Sequence, residues 1–438
     1  MMLNMRFCAG LVSALLIGQA SPSDFRIDSW DRQGNISWTN AFASGVCTVE
    51  ATTRLTNPKT SPWRAQQNYF TTNAAGRGVL GLSASNHFFR LLAVDVSANS
   101  PSGYTNLLES FGLLRTIAGN GYGGMDGANY WQPSFEGGYA TNAALSRPHF
   151  AMADAAGNVF IVDKGSHSVL KVTPDGRLHT VAGTHLAGNG PDYSTNATRV
   201  QLNAPNGIWV RGDSTVYVLD TGNSKIRRLD TNGMMATLFS VTNQVISQGR
   251  GIWVKEDESL AYFASGKEVK KWTPAGGVTT LNGNFNELGN FVMDRNGDII
   301  ATDRGANKVY FLDATGGDAG SRNVLFGDGN TNAVADGTLA KTNSLYGVRG
   351  VWPVPTGGYL LATHEGSQVL YVDPAGIVHV FVNGASGSVH FGDGQWFHSP
   401  GNKVSEVRAV SIDSKGNILI TENDFGYVRR IDFTRLSP

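Results

Sequence analysis

Six stretches of the chain repeat one pattern of apolar and polar positions. Residues 159–163 read Val-Phe-Ile-Val-Asp, residues 168–172 Ser-Val-Leu-Lys-Val and residues 178–182 Leu-His-Thr-Val-Ala, with turn residues at 164–167 and 173–176. Short apolar runs bounded by Gly, Pro, Asp and Ser predict strands. The pattern returns at 216–229, more loosely at 261–272, and again at 299–312, 359–372 and 418–431. A further short strand precedes each, around Phe150, Ile208, Ile252, Phe291, Val351 and Val410. Six units of four strands result. Successive side chains of a strand face opposite ways, and in Val216, Tyr217, Val218 and Leu219 both faces are apolar, so each unit is expected to pack between two others. The core of a unit runs to about forty residues, the period of a propeller blade. Turns at 154–157, 294–297 and 413–416 start on Asp and end on Gly, which accepts a positive φ.

The sixth unit leaves only residues 433–438 for an outer strand. Residues 114–119, Leu-Arg-Thr-Ile-Ala-Gly, match the outer strand 178–183 of the first unit and have no sheet of their own. Set on the edge of unit six, they close the ring and cover an exposed edge. The expectation is an all-β chain: a six-bladed β-propeller closed by an N-terminal outer strand. Residues 114–121, then Ala-Leu-Ser-Arg-Pro at 144–148, the run 154–163 and Val-Thr-Pro-Asp-Gly at 172–176 together resemble NHL-repeat proteins. The resemblance covers residues 113–438 and implies six blades. Unit three departs from it with Ala264 and Ser265, and unit five with His364 and Glu365, where the others place an acid.

Residues 1–20 read as a signal peptide: Arg6, an apolar run at 7–17, then Gly-Gln-Ala at 18–20, with cleavage after Ala20. That run is too short to span a bilayer. The mature chain would be secreted, periplasmic or held in the cell envelope, and would keep Cys47 alone. Residues 21–96 alternate apolar and polar positions between Gly, Asn and Pro turns, which predicts a small β-sandwich. It resembles the fibronectin-type modules appended to bacterial secreted proteins. Residues 97–112 read as a linker.

Composition narrows the function. Lys and Arg number 35 and so do Asp and Glu, and charged residues are 16% of the chain, so no net field gathers nucleic acid. Gly is abundant at 54 residues, as tight turns require. Residues 119–124 satisfy G-x-G-x-x-G, but the Gly- and Pro-bearing segment 125–138 starts no helix to hold a pyrophosphate. The motifs H-E-x-x-H, G-x-S-x-G and C-x-x-C do not occur.

Repeat register supplies the candidate site. The start of each inner strand and the end of the second strand lie on one face. At the first stand His149, Asn206, Arg250, Asn290, Arg349 and Arg408; at the second stand Asp163, Asp220, Ser265, Asp303, His364 and Glu422. Three arginines give this mouth positive potential for an anionic or polyhydroxy ligand. The acids either cap turns and pair with neighbouring Arg and Asn, or Asp163, Asp220, Asp303 and Glu422 hold calcium. Long loops at 120–145, 184–204, 318–345 and 385–405 bring Trp131, Tyr193 and Trp396 to the same face as a binding platform. The favoured function is a secreted, non-catalytic binding propeller without a cofactor, whose partner is a glycan, a small molecule or an envelope protein, with no membrane span. The alternative, implied by resemblance to lactonase, gluconolactonase and amidating-lyase propellers, is a metal-dependent hydrolase or lyase.

Overall fold

The structure, a computed structural model, describes residues 14–16 and 25–432, apart from 32, 54–62, 81–87, 98–99, 101–102, 111, 124–126, 243–244, 295, 316–318, 385–389 and 424. Among these residues the strands form eight small sheets, accompanied by one α-helix, α1 (Gly103–Ser110). From residue 113 onward six sheets succeed one another, each built on a meander of sequential antiparallel strands, with a strand from earlier in the chain added at the outer edge of sheets two, five and six, and they are numbered one to six in chain order. Sheet one comprises Pro148–Ala153, Val159–Asp163, Ser168–Val172 and Leu178–Ala182. Its second strand is buried at every position because both faces meet apolar neighbours, while the outer strand is partly exposed.

The first strands carry the stacking. Each lies against the first strand of the next sheet, and Val407–Ile412 of sheet six lies against Pro148–Ala153 of sheet one. Across that last contact Ser411 Oγ donates to Ala151 O at 2.8 Å. The turns between first and second strands are built as the sequence indicates. Asp413 Oδ1 accepts from Asn417 N at 2.9 Å, and Gly416 takes φ 82°. The orphan strand Leu113–Ala118 pairs antiparallel with Tyr427–Asp432 and forms the outer edge of sheet six. Gly119 ends it at φ 98°, in a place where a side chain would run into Gly426 O, so the G-x-G run is a packing requirement.

Two sheets precede these. Arg26–Trp30, Asn35–Thr39 and Gly76–Val79 form one, while Gly45–Thr52, Arg64–Thr71 and Phe88–Asp95 form most of the other. Ile36 and Trp38 from the first share a core with Cys47, Val49 and Leu91 from the second. Within the expected signal segment, Ala14–Leu16 pairs in parallel with Leu91–Ala93, and the rest of that segment lies outside the described residues. Residues 97–112 are more than a connection. Helix α1 spaces Tyr104, Leu107 and Leu108 on one face, and Leu107 is buried in a core that unites Val46, Val94 and Val96 with Leu360, Phe381 and Val404.

Truncation separates these roles. A chain beginning at residue 101 keeps α1 and the strand Leu113–Ala118, and should retain one cooperative transition at a lower Tm because Val46, Val94 and Val96 are gone. A chain beginning at 121 bares the edge of Tyr427–Asp432 and should lose cooperative unfolding in calorimetry. Equal Tm values for the two truncations would contradict this assembly.

Candidate functional site

The stacked first strands bring their leading residues together at one end of the sheets. His149, Asn206, Arg250, Asn290, Arg349 and Arg408 are all buried there. In sheets one, five and six the strand pairing shifts register at this point. Pro148 opposes Asp163 and Phe150 opposes Val162, which leaves His149 as an extra residue; Arg349 and Arg408 occupy the same kind of bulge. A bulge twists the strand and re-aims one side chain. Here it turns basic residues out of the ladder at the start of the inner strands.

Positive charge is therefore concentrated out of water. Arg349 is 3% exposed and Arg250 6%. Burial, reinforced by the repulsion of the other arginines, pushes the pKa of both guanidinium groups down. A guanidinium keeps its proton nonetheless, so the cost falls on folding or is met by a counter-ion. On one side the chain supplies that counter-ion. Arg349 Nη2 lies 3.2 Å from Glu287 Oε1, and Arg408 Nη2 lies 3.3 Å from Glu406 Oε2. Arg304 bridges Glu287 and Glu365, and His364 lies 3.2 Å from Glu365 Oε1 and 3.0 Å from Glu406 Oε2. This chain of charges crosses sheets four, five and six. Burial raises the Glu365 carboxyl, but its bonds to His364 and Arg304 outweigh that and hold it down at about 2.

On the other side the cations have no carboxylate within ion-pair distance among the described residues, and only Glu287 acts on Arg250 from farther away. Among the described residues Arg250 makes no ion pair, and its one hydrogen bond, from Nη1 to Gln248 O, is 3.5 Å long. Its Nε, the Nδ1 of His149, the Oδ1 of Asn206 and both amide atoms of Asn290 are buried without a hydrogen-bond partner. His149 is held neutral, its pKa well below the usual imidazole range, by burial and then by Arg250, Arg408, Lys164 and Arg349. Lys164 is pushed down by burial and the same arginines.

The acids at the ends of the second strands do different work. Asp163 Oδ2 accepts from Ser146 N at 3.0 Å, Asp220 Oδ1 from Asn203 N at 2.8 Å, Asp303 Oδ2 from Asn286 N at 2.8 Å and Glu422 Oε2 from Ser405 N at 2.9 Å. In every case the donor lies 17 residues earlier, in the loop that leads into the first strand. Ser265 holds its loop through a weaker bond from Ser247 N at 3.3 Å. Asp220 also receives Arg227 Nε at 3.0 Å, and Glu422 has Arg429 at 3.6 Å. These carboxylates clamp loops; the partners of Arg349 and Arg408 are Glu287 and Glu406 instead. A calcium ion takes six to eight oxygens at one point. Asp163, Asp220, Asp303 and Glu422 sit in separate sheets, each with at least one oxygen committed to a loop N–H, and no group of three or more His, Cys, Asp or Glu among the described residues could hold a metal. The donor set does not fit the ion. In sheet five the strand register gives the clamp position to Thr363, opposite Val348 and Gln368, so His364 stands one residue beyond it.

The aromatic platform is mostly loop packing. Trp131 stacks on His185 with ring centroids 4.0 Å apart and meets Phe135 edge-on; Trp396 packs on Phe397 in the core beside Leu114. Tyr193 alone of the three is fully in solvent, at 73% exposure. The residues that sequence reasoning missed are Glu287, Glu406, Glu365, Arg304 and Lys164. Lys164 and Arg304 directly follow the clamp position and Glu365 lies two residues beyond it, a register that the repeats could have revealed.

No family model matches the chain, and no curated protein matches it. Solved structures do. A protein of unknown function from Bacteroides thetaiotaomicron superposes with a TM-score of 0.58 at 12% identity, over 94% of this chain and 99% of its own. An auxiliary nutrient binding protein from the same organism gives 0.55 at 10% identity, over 95% and 99%. A gluconolactonase from Xanthomonas campestris matches more loosely, with 0.47 at 12% identity over 74% and 91%. Identities this low speak to the fold alone. The fold is a β-propeller. With 94% of the chain covered, the likeness takes in the N-terminal sheets as well as the propeller.

Two clamp predictions follow from the geometry. Asp303→Ala releases the N–H groups of Asn286 and Glu287 and should cost about 1–3 kcal/mol in urea unfolding. Asp163 has no basic partner, and burial raises its carboxyl to about 6, with bonds from Ser166 and Ser146 opposing. Between pH 3.8 and about 6 the unfolded chain then releases a proton that the folded chain retains, so the stability linked to this group falls as pH rises through that window. Two pH units correspond to about 3 kcal/mol. Asp163→Asn should flatten that slope in unfolding curves taken from pH 4 to pH 7.

Proposed function

We propose that this protein is an exported binding propeller of the NHL type, six-bladed and closed through Leu113–Ala118, which captures an anionic ligand at the mouth formed by Arg250, Arg349 and Arg408. In this reading residues 1–20 are removed after Ala20 and the N-terminal sheets form a β-sandwich carried beside the propeller. The succession of first-strand contacts from sheet one to sheet six and back to sheet one supports six blades. One observation carries the function: Arg250 is a buried guanidinium with no carboxylate within ion-pair distance among the described residues, Glu287 acting on it only from farther away, and it stands next to His149, Asn206 and Asn290 whose polar atoms lack partners. Leaving such a charge unpaired costs several kcal/mol, which a bound anion offsets. The ligand is a small anionic molecule, an acidic glycan or an acidic side chain of an envelope protein. Chemistry at a mouth metal is not favoured, because the acids that would hold it clamp loops.

Calorimetric titration with citrate as the anionic probe tests this. Arg250→Gln should fold at equal or greater stability, since it removes an unpaired buried charge, and should weaken citrate by about ten- to a hundredfold, the value of a charge-assisted hydrogen bond of about 1.5–3 kcal/mol. Arg349→Ala should instead lower Tm, because Glu287 loses a partner. Citrate affinity unchanged in Arg250→Gln would move the site off this residue.

A further inference from the structure

A second cleft lies at the opposite end of the blades, where the N-terminal sheets meet the turn 413–416. Contact there is close: a Cβ on Gly416 would stand 3.0 Å from the Phe70 ring. Beside it opens a cleft of about 360 Å³, lined from the N-terminal side by Trp38, Tyr69, Asn73 and Arg77 and from blade six by Ser414. This volume suits a small ligand.

The lining has a definite chemistry. Trp38 and Tyr69 stand with ring centroids 5.4 Å apart, and side chains on Gly76 or Gly78 would run into these rings, so the bare strand keeps them in place. The indole N–H of Trp38 and the hydroxyl of Tyr69 are buried without a hydrogen-bond partner. Burial pushes the Tyr69 hydroxyl up to about 12, which keeps it a donor across the physiological range. On the rim, Asn73, Arg77 and Ser414 make no side-chain hydrogen bond or ion pair among the described residues. The one carboxylate lining the cleft, Asp413, is committed to the N–H groups of Lys415 and Asn417 and to the Asn417 amide. Trp38 itself is buried behind this wall, so the cleft offers the partly exposed rings of Tyr69 and Phe70, donors on Asn73 and Ser414 and one unpaired cation, with no free anion.

We infer that this cleft is a binding site for a uronate, a single saccharide ring bearing a carboxylate. The apolar face of the ring lies along the aromatic wall, its carboxylate meets the guanidinium of Arg77, and its hydroxyls reach Asn73 and Ser414. A ligand held there touches both the N-terminal sheets and blade six and ties them together. This site is separate from the mouth and does not depend on the reading of Arg250.

The test is calorimetric titration of the full chain with D-glucuronate, with methyl glucoside as the uncharged ring. Arg77 is exposed and unpaired, so Arg77→Ala should fold normally. It should weaken glucuronate by about tenfold or more, and methyl glucoside should bind the unaltered protein weaker than glucuronate by a similar factor. Arg250→Gln should leave glucuronate affinity at this cleft unchanged. No glucuronate binding to the unaltered protein, or equal affinity in Arg77→Ala, would overturn the inference. Loss in Arg250→Gln together with no loss in Arg77→Ala would also overturn it and give the anion to the mouth instead.

Discussion

The hydrogen bond from a strand-ending carboxylate to a backbone N–H 17 residues earlier is the constraint on which the site depends. A loop returning from the outer edge of one blade to the inner strand of the next carries N–H groups into a buried place, where each needs an acceptor. The carboxylate provides one and fixes where the inner strand begins. In sheet four the same clamp holds the N–H of Glu287, which then faces Arg304 and Arg349. The mouth inherits its geometry from these clamps.

A second consequence is electrostatic. Because the repeat acids are spent on backbone, they do not neutralise the basic residues that the bulges turn inward. Glu287, Glu365 and Glu406 do so on the side of sheets four to six, through Arg304 and His364. On the side of sheets one to three no carboxylate among the described residues comes within ion-pair distance, and Arg250 remains beside neutral His149 and Asn206. Buried like charges repel strongly where water is excluded. In the proposed reading an anion at the mouth offsets this repulsion and is drawn toward Arg250.

Much of the fold was legible because its signals are local and repeated. The pairing of Leu113–Ala118 with Tyr427–Asp432 could be read from the match between 114–119 and 178–183 and from the missing last strand. The basic positions at the starts of the inner strands were legible for the same reason. What escaped lies outside the repeat. Helix α1 is one short amphipathic stretch that opens on Gly103, and its burial rests on Val46 and Phe381, which are remote in sequence. Glu287 and Glu406 sit in loops of unequal length, where no period marks them. The tryptophans Trp131 and Trp396 looked like a platform because Gly-rich loops suggest exposure, yet stacking on His185 and Phe397 turns both to packing. Clamping Asp220 and Glu422 against Arg227 and Arg429 likewise required knowing which third-strand residues face the loop.

The most direct test of the claim that the mouth is an anion site is a crystal structure grown with selenate, read through the anomalous signal of selenium. The account predicts one peak at the mouth, with selenate oxygens about 2.7–3.2 Å from the Arg250 guanidinium and the Glu287 and Glu406 pairs to Arg349 and Arg408 intact. A mouth holding only water, with Arg250 turned onto a carboxylate of its own chain, would contradict it.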